Sequence, residues 1–165
     1  MRKVERYPVE GPNALWQIYR TVNPFKSVLN FIFIQCARYC PILPLKNWIY
    51  RRLSKVKVGE HTAFGLMVML DVFFPQMITV GKNSVIGYNT TILAHEYLIH
   101  EYRLGEVIIG DEVLIGANTT ILPGVTIGDG AVVAAGSVVH KNVEAGTFVG
   151  GNPLRVLGRR SDEVN

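Results

Sequence analysis

The chain has 165 residues, a length that suits one compact domain with at most a small addition. No run reaches about 18 uncharged apolar residues, so a membrane-spanning helix is not expected. The formal net charge of +4 is unevenly distributed, because residues 1–57 carry 11 Lys and Arg against 2 Glu, whereas residues 58–165 carry 6 against 11 acidic residues. This asymmetry predicts two regions with different tasks.

The N-terminal region, residues 1–57, has no internal repeat and is predicted to be a basic helical segment. Asn23 is a favourable N-cap, and Pro24 suits the first position of a helix that Pro41 would end. A second helix is expected over residues 44–55, which again combine apolar and basic side chains.

The same region carries signals about location and redox state. Pro8 and Glu10 lie where a secretory signal peptide needs its apolar stretch, so a cytoplasmic location is expected. Cys36 and Cys40 are four residues apart on the first predicted helix, and we interpret them as buried thiols rather than a disulfide or a metal site. No nucleic-acid partner is expected.

The rest of the chain repeats with a period of six residues. A β-branched residue recurs at Ile109, Ile115, Ile121, Ile127, Val133 and Val139. The same register occurs earlier at Val80, Ile86 and Ile92, and in a weaker form at Val58, Phe64 and Leu70. A period of six predicts a parallel β-helix, in which each unit supplies one short strand and one corner.

Three such units close a triangular coil, and successive coils stack at about the strand spacing of 4.8 Å. The recurring aliphatic side chains then pack on one another inside the prism, while glycine and other small residues ease the corners. The pattern predicts a mainly β domain over residues 58–153. Residues 154–165 are predicted to leave the prism as a tail, either as a short strand or as a helix.

The repeat is broken twice. Leu70 and Val80 are ten residues apart, and Ile92 and Ile109 are seventeen apart, so two segments leave the prism. The longer excursion, residues 94–107, contains two histidines, three glutamates, two tyrosines and an arginine. Loops on a rigid scaffold often carry functional groups, so this excursion is the predicted functional site.

The segment "IIGDEVLIGANTTILPGVTIGDGAVVAAGSVVHKNVEAGTFVGGNPLRVL" resembles the hexapeptide-repeat acetyltransferases of the galactoside, maltose and xenobiotic type. The resemblance covers about residues 58–158. It implies a left-handed parallel β-helix, a homotrimer and acetyl-CoA as the acyl donor. It also implies that the excursion carries the catalytic histidine, which matches His95 by position.

Carried over to this sequence, the resemblance suggests a CoA site. The pantetheine arm would lie along the backbone near Ala117 and Ala135, and Lys141 and Arg155 would meet the CoA phosphates as cations. One departure from the sugar enzymes is Leu114, at a position that is often tryptophan in them.

The acceptor site is the second departure, because "FGLMVMLDVFF" lacks the asparagine-rich pattern of the sugar enzymes and Asp71 is the only polar residue near. The acceptor-binding candidates are Asp71, Tyr88, Asn89, His100, Glu101 and Arg103. His100 and Glu101 could also orient His95, and Asn89 also fits ordinary turn chemistry.

The chemistry of acyl transfer fits a histidine independently of the resemblance. Transfer from a thioester to a hydroxyl or amine needs a base during attack, and the unperturbed pKa of histidine, about 6.5, is near working pH. No acylated nucleophile is required, so a direct ternary-complex mechanism suffices. The predicted function is acetyl-CoA-dependent transfer of an acetyl or short acyl group to a small molecule or glycan, with no metal.

Two other functions use the same fold. The γ-class carbonic anhydrases are hexapeptide trimers with three zinc-binding histidines, and His61, His95 and His100 could form such a set. A non-catalytic scaffold is the third reading. Residues 1–57 also allow two roles: their apolar helix faces cover the open end of the β-helix with the charges in solvent, which we favour, or they contact an anionic membrane surface.

Overall fold

A computed structural model of the chain describes residues 2–159. In chain order its strands are β1 (Glu5–Pro8), β2 (Lys57–Val58), β3 (Ala63–Phe64), β4 (Met69–Leu70), β5 (Ile78–Val80), β6 (Val85–Ile86), β7 (Thr91–Ile92), β8 (His95–Tyr97), β9 (Glu101–Leu104), β10 (Val107–Ile109), β11 (Leu114–Ile115), β12 (Thr120–Ile121), β13 (Thr126–Ile127), β14 (Val132–Val133), β15 (Val138–Val139), β16 (Thr147–Gly150) and β17 (Arg155–Arg159). The helices are α1 (Pro24–Tyr39) and α2 (Leu43–Trp48), which continues as a π-helical turn (Ile49–Leu53). Single 3-10 turns cover Ile18–Arg20 and Pro75–Met77.

The short strands form the three faces of a prism. The first face is β2-β5-β10-β13, the second is β3-β6-β11-β14-β16-β17, and the third is β4-β7-β12-β15. Apart from β17, the neighbours in each face are parallel and pair strands from successive coils. The predicted left-handed parallel β-helix with an α-helical N-terminal segment is confirmed.

The repeat aliphatics build the core. From Phe64 to Val139 each of them is at most 1% exposed, and counterparts in successive coils are in register, as Ile86, Ile115 and Val133 show. Burying each such side chain contributes roughly 1.5–3 kcal/mol. Close stacking explains a corner glycine, since a Cβ added at Gly116 would lie 2.3 Å from the backbone N of Ala135.

The helices cap the first coil, whose carbonyls have no preceding coil to bond. Lys46 Nζ donates to the carbonyls of Phe64 and Gly65, both at 2.9 Å, and Asn47 Nδ2 donates to that of Thr62 at 2.7 Å. Three more side chains donate in the same way: Asn30 to the carbonyl of Val72, Arg38 to that of Met67, and Arg51 to those of Val58 and Gly59. The cap therefore closes the open strand edge.

The capping face agrees with the expectation only in part. Ile34, Ala37, Ile49 and Tyr50 are buried in the same hydrophobic core as the repeat aliphatics. Lys46 and Asn47 also turn inward, toward the carbonyls of the first coil, while other apolar side chains of the helices stay outside. Burial lowers the pKa of Lys46.

The prediction of buried thiols is wrong, since Cys36 is exposed and Cys40 half-buried, both as free thiols.

The excursion is a β-hairpin strapped down by the N-terminus. Strands β8 and β9 are antiparallel, and β1 adds to β9 to give a three-stranded sheet that the sequence did not predict. The backbone N–H of Lys3 donates to the carbonyl of Gly124 at 2.8 Å, which ties the strap to the prism.

The described part of the tail folds back as strand β17, which pairs antiparallel with β16 at the edge of the second face, while residues 160–165 of the predicted tail lie outside the described residues. Among residues 2–159, no helix has both the length and the apolar character needed to cross a bilayer.

Candidate active site

Asp71 and His95 meet because they follow two neighbouring strands. Strand β4 ends at Leu70 and β7 at Ile92, and these two residues are paired in register on the third face. The chain leaves the prism after each strand, so both departures occur at the same corner of successive coils. The repeat register thus places a carboxylate beside the first residue of the hairpin.

The contact between them is direct. His95 Nδ1 lies 2.5 Å from Asp71 Oδ2, which also accepts a hydrogen bond from the backbone N–H of Ala94 at 2.8 Å. Asp71 Oδ1 accepts from the backbone N–H groups of Phe73 and Phe74, both at 2.9 Å. The Asp71 side chain is fully buried, whereas 16% of the His95 side chain is exposed.

These contacts fix the protonation pattern. Burial alone would raise the pKa of Asp71, but the hydrogen bond and charge of His95 and the N–H groups of Phe74 and Ala94 outweigh it and hold the pKa below its usual value. An ionised carboxylate only accepts hydrogen bonds, so Nδ1 of His95 carries the hydrogen. In the neutral imidazole the lone pair then resides on Nε2, where it is available as a base.

Aromatic rings surround the imidazole. Ring centroids of Phe73 and Tyr97 lie 5.2 Å and 5.1 Å from that of His95, and Phe74 lies at 6.0 Å. The Tyr97 hydroxyl is 3.2 Å from Thr21 Oγ1, which links the site to the N-terminal region. The sequence did not predict that these rings surround His95. Their segments depart from the repeat, but residue spacing outside the repeat does not indicate which side chains come together.

A surface cavity of about 690 Å³ adjoins the hairpin. It is lined by Asn13, Leu15, Tyr97, Leu98, Ile99, His100 and Glu101. Tyr97 borders this cavity and also contacts the His95 ring, whereas His95 itself does not line the cavity. Of the predicted acceptor-binding residues, His100 and Glu101 line it.

Other predicted residues face away from His95. In the hairpin, Glu96 pairs with Arg103 across the strands, and alternation puts both on the face opposite His95. Arg103 also forms an ion pair with Glu101, and Arg2 donates to Glu96 at 2.8 Å. This charged network fastens the N-terminal strap to the outside of the hairpin.

Two of the predicted CoA residues, Ala117 and Ala135, form a separate ridge together with Tyr88, which was predicted to bind the acceptor. The three stack on one corner, where the N–H of Asn118 donates to the carbonyl of Tyr88 and the N–H of Gly136 donates to the carbonyl of Ala117, both at 2.8 Å. This corner lies between the second and third faces, whereas His95 leaves from the corner between the third and first. Within one chain the third face separates them.

The remaining predicted residues are spread along the prism. Asn89 has a φ of 55° and donates to Asn118 Oδ1 at 3.0 Å, which is turn geometry. Lys141 is exposed on the hairpin's corner, further along the prism, and Arg155 is exposed at the start of β17. In residues 2–159 no three His, Cys, Asp or Glu side chains are gathered in a way that could hold a metal ion, and exposed His61 lies at another corner.

Comparison with known proteins identifies the family. The family model described as the hexapeptide repeat of succinyl-transferase matches residues 106–141. YvoF of Bacillus subtilis strain 168, which carries the provisional name of an acetyltransferase, is 65% identical over 157 residues, which is 95% of this chain and 91% of YvoF. The chain belongs to the hexapeptide-repeat acetyltransferase family.

Two further members show the extent of the likeness. SAS0727 of Staphylococcus aureus strain MSSA476, with the same kind of provisional name, is 47% identical over 156 residues, 94% of this chain and 97% of SAS0727. The hexapeptide-repeat acetyltransferase VCA0836 of Vibrio cholerae O1 biovar eltor, solved with acetyl coenzyme A, superposes with a TM-score of 0.69 at 25% identity over 82% of this chain and 87% of VCA0836. The predicted family and enzyme class are confirmed.

Proposed function

We propose that the protein transfers an acetyl or related short acyl group from CoA to a hydroxyl or amine of a small molecule or glycan, with His95 as the general base. The hydrogen bond between Asp71 and His95 carries the proposal, because it leaves Nε2 free to take a proton. The acetyl coenzyme A bound to VCA0836 supports the donor. The cytoplasmic location stays a prediction.

The reaction needs one proton transfer in each direction. Nε2 of His95 takes the proton of the acceptor as its oxygen or nitrogen attacks the thioester carbonyl. The new bond to the carbonyl carbon forms, the C–S bond breaks, and the imidazolium returns the proton to the CoA thiolate. Asp71 holds the ring and stabilises the imidazolium charge, and a backbone N–H at the oxyanion would contribute about 3 kcal/mol.

The separation of the two corners favours a site between subunits. In a homotrimer the ridge of Ala117 and Ala135 on one prism would face the His95 hairpin of its neighbour, with Lys141 and Arg155 placed for the CoA phosphates. Exposed apolar side chains on the second face, Val85 and Leu114, suit packing against another prism. Closed cyclic symmetry then gives three identical sites.

The test is a titration of the purified protein with acetyl-CoA by calorimetry, together with light scattering. We expect saturable binding of one acetyl-CoA per chain and a mass of about three times 18.4 kDa. In a screen of hydroxyl and amine acceptors, released CoA thiol should appear. A protein that binds no acetyl-CoA would be a scaffold, and a monomer that turns it over would contradict the intersubunit site.

A further inference from the structure

Helix α1 is more apolar outside than inside. Its side chains buried against the rest of the protein are Ser27, Asn30, Ile34 and Ala37, two of them polar and one small. Its exposed large hydrophobic side chains are Phe25, Val28, Phe31, Ile32 and Tyr39. An ordinary surface helix shows the reverse arrangement, with the apolar stripe toward the core.

Helix α2 repeats this inversion. Its buried residues, Lys46 and Asn47, are polar because they cap carbonyls, while Leu43, Leu45 and Trp48 are exposed. The cap thus completes its structural task with its inner side chains. The outer apolar side chains of both helices are not required for capping, and water around them is unfavourable.

The charge of this end is mainly positive. Residues 11–59 contain no Asp or Glu and eight Lys or Arg, and exposed Glu60 lines a cavity with Leu43 and Arg51. Arg38, Lys46 and Arg51 are used to bond carbonyls of the first coil. The other five are exposed, namely Arg20, Lys26, Arg52, Lys55 and Lys57. The cap itself therefore combines exposed apolar side chains with the exposed cations Lys26 on α1 and Arg52 and Lys55 at the turn after α2.

We propose that this outer surface of the cap, formed by α1, α2 and the turn after α2, docks on an anionic lipid bilayer. Apolar side chains flanked by cations are the combination that binds the interface of acidic membranes. Trp48 of α2 is 51% exposed on this surface. Tryptophan is the residue that membrane–water interfaces favour.

The charge and position of the cap's outer surface favour a bilayer over a second copy of the chain as its partner. Two copies meeting through this surface would bring mainly cations against cations, because the exposed Lys and Arg side chains of residues 11–59 outnumber the neighbouring Glu60. The cap also closes the end of the prism, whereas the prism's sides remain for neighbouring subunits. Docking through the end is compatible with the proposed trimer, whose three caps would face the same way, but it does not depend on the proposed chemistry.

The experiment is vesicle flotation of the full-length protein, with tryptophan fluorescence as a second readout. Vesicles of phosphatidylcholine alone are compared with vesicles that also contain phosphatidylglycerol. We expect flotation and a blue-shifted emission only with the anionic vesicles, and release at high salt. Equal binding to neutral vesicles, or no binding to either, overturns the proposal.

Two double variants test the two components. Phe25→Ser with Ile32→Ser removes outer apolar contacts, and Lys26→Glu with Arg52→Glu reverses charge. Each should weaken binding to anionic vesicles by at least about tenfold. The matched control is Val156→Ser on β17, an exposed apolar residue at the opposite end of the second face, which should leave binding unchanged.

Circular dichroism and light scattering accompany each variant. Unchanged spectra and mass with lost binding support the bilayer. An altered mass in either double variant would assign the surface to a contact between copies and overturn the proposal, as would equal loss of binding in Val156→Ser.

Discussion

Nδ1 of His95 and Oδ2 of Asp71 lie 2.5 Å apart, although 24 residues separate them in the chain. The repeat brings them together, since Leu70 and Ile92 are paired on adjacent coils and each candidate follows its strand closely. The histidine is thereby held on a rigid part of the scaffold rather than on a free loop. A fixed ring with a defined tautomer is the property that a general base requires.

Asp71→Asn should lower kcat by roughly 10²–10⁴-fold, because an amide that holds the histidine in the wrong tautomer removes most of its contribution as a base. The amide keeps the shape but cannot stabilise the imidazolium, and it permits the wrong tautomer. Steady-state kinetics of CoA release measures this, with the KM for acetyl-CoA expected to change little. An unchanged kcat would show that Asp71 only shapes the loop.

The lowered pKa of Asp71 also makes stability depend on pH. The carboxylate contributes stability above about pH 4, the usual value in an unfolded chain, and this contribution is lost as the pH falls through the lower folded value. Urea unfolding of the native protein and of Asp71→Asn, from about pH 7 to about pH 3, should show a difference in unfolding free energy that shrinks with acid. A difference independent of pH would contradict this role.

Lys46→Met should destabilise the fold by about 1–3 kcal/mol, because it leaves the carbonyls of Phe64 and Gly65 without donors. Lys57→Met removes an exposed lysine nearby and serves as the matched control, with an expected change within about 0.5 kcal/mol. Urea denaturation of both variants provides the comparison. Equal stability of the two variants would mean that the cap does not depend on these hydrogen bonds.

Removal of metal and loss of His61 distinguish the zinc mechanism from the proposed acyl transfer, which needs neither. Chelator should leave acetyl transfer unchanged, and His61→Ala should retain activity within about twofold, since surface substitutions away from a site have small effects. Metal analysis of the purified protein checks the same point independently. Stoichiometric zinc that disappears together with activity in His61→Ala would establish the carbonic-anhydrase-like alternative.

The sequence predicted the prism because its aliphatic period directly records which side chains point inward, as at Ile115. Its two interruptions likewise located the segments that hold Asp71 and His95. Their pairing was not predicted, because it depends on which strands become neighbours after ten- and seventeen-residue departures rather than on local spacing.

The N-terminal region was harder to predict for a related reason. Strand β1 exists through pairing with β9 nearly a hundred residues away, and a four-residue segment carries little local signal. The inward orientation of Lys46 was also not predicted, because a lysine is rarely buried unless buried acceptors, here two backbone carbonyls, bond its ammonium group. Only the geometry of the first coil reveals that need.

The most direct test of His95 as the general base is the kinetics of His95→Ala. Release of CoA thiol from acetyl-CoA is followed with an acceptor, or as slow hydrolysis without one, and acetyl-CoA binding is measured in parallel by calorimetry. General-base catalysis by His95 predicts a kcat lower by roughly 10²–10⁴, equivalent to about 2.7–5.4 kcal/mol of transition-state stabilisation, with acetyl-CoA affinity nearly unchanged. Full transfer activity in His95→Ala would contradict it and place the base elsewhere.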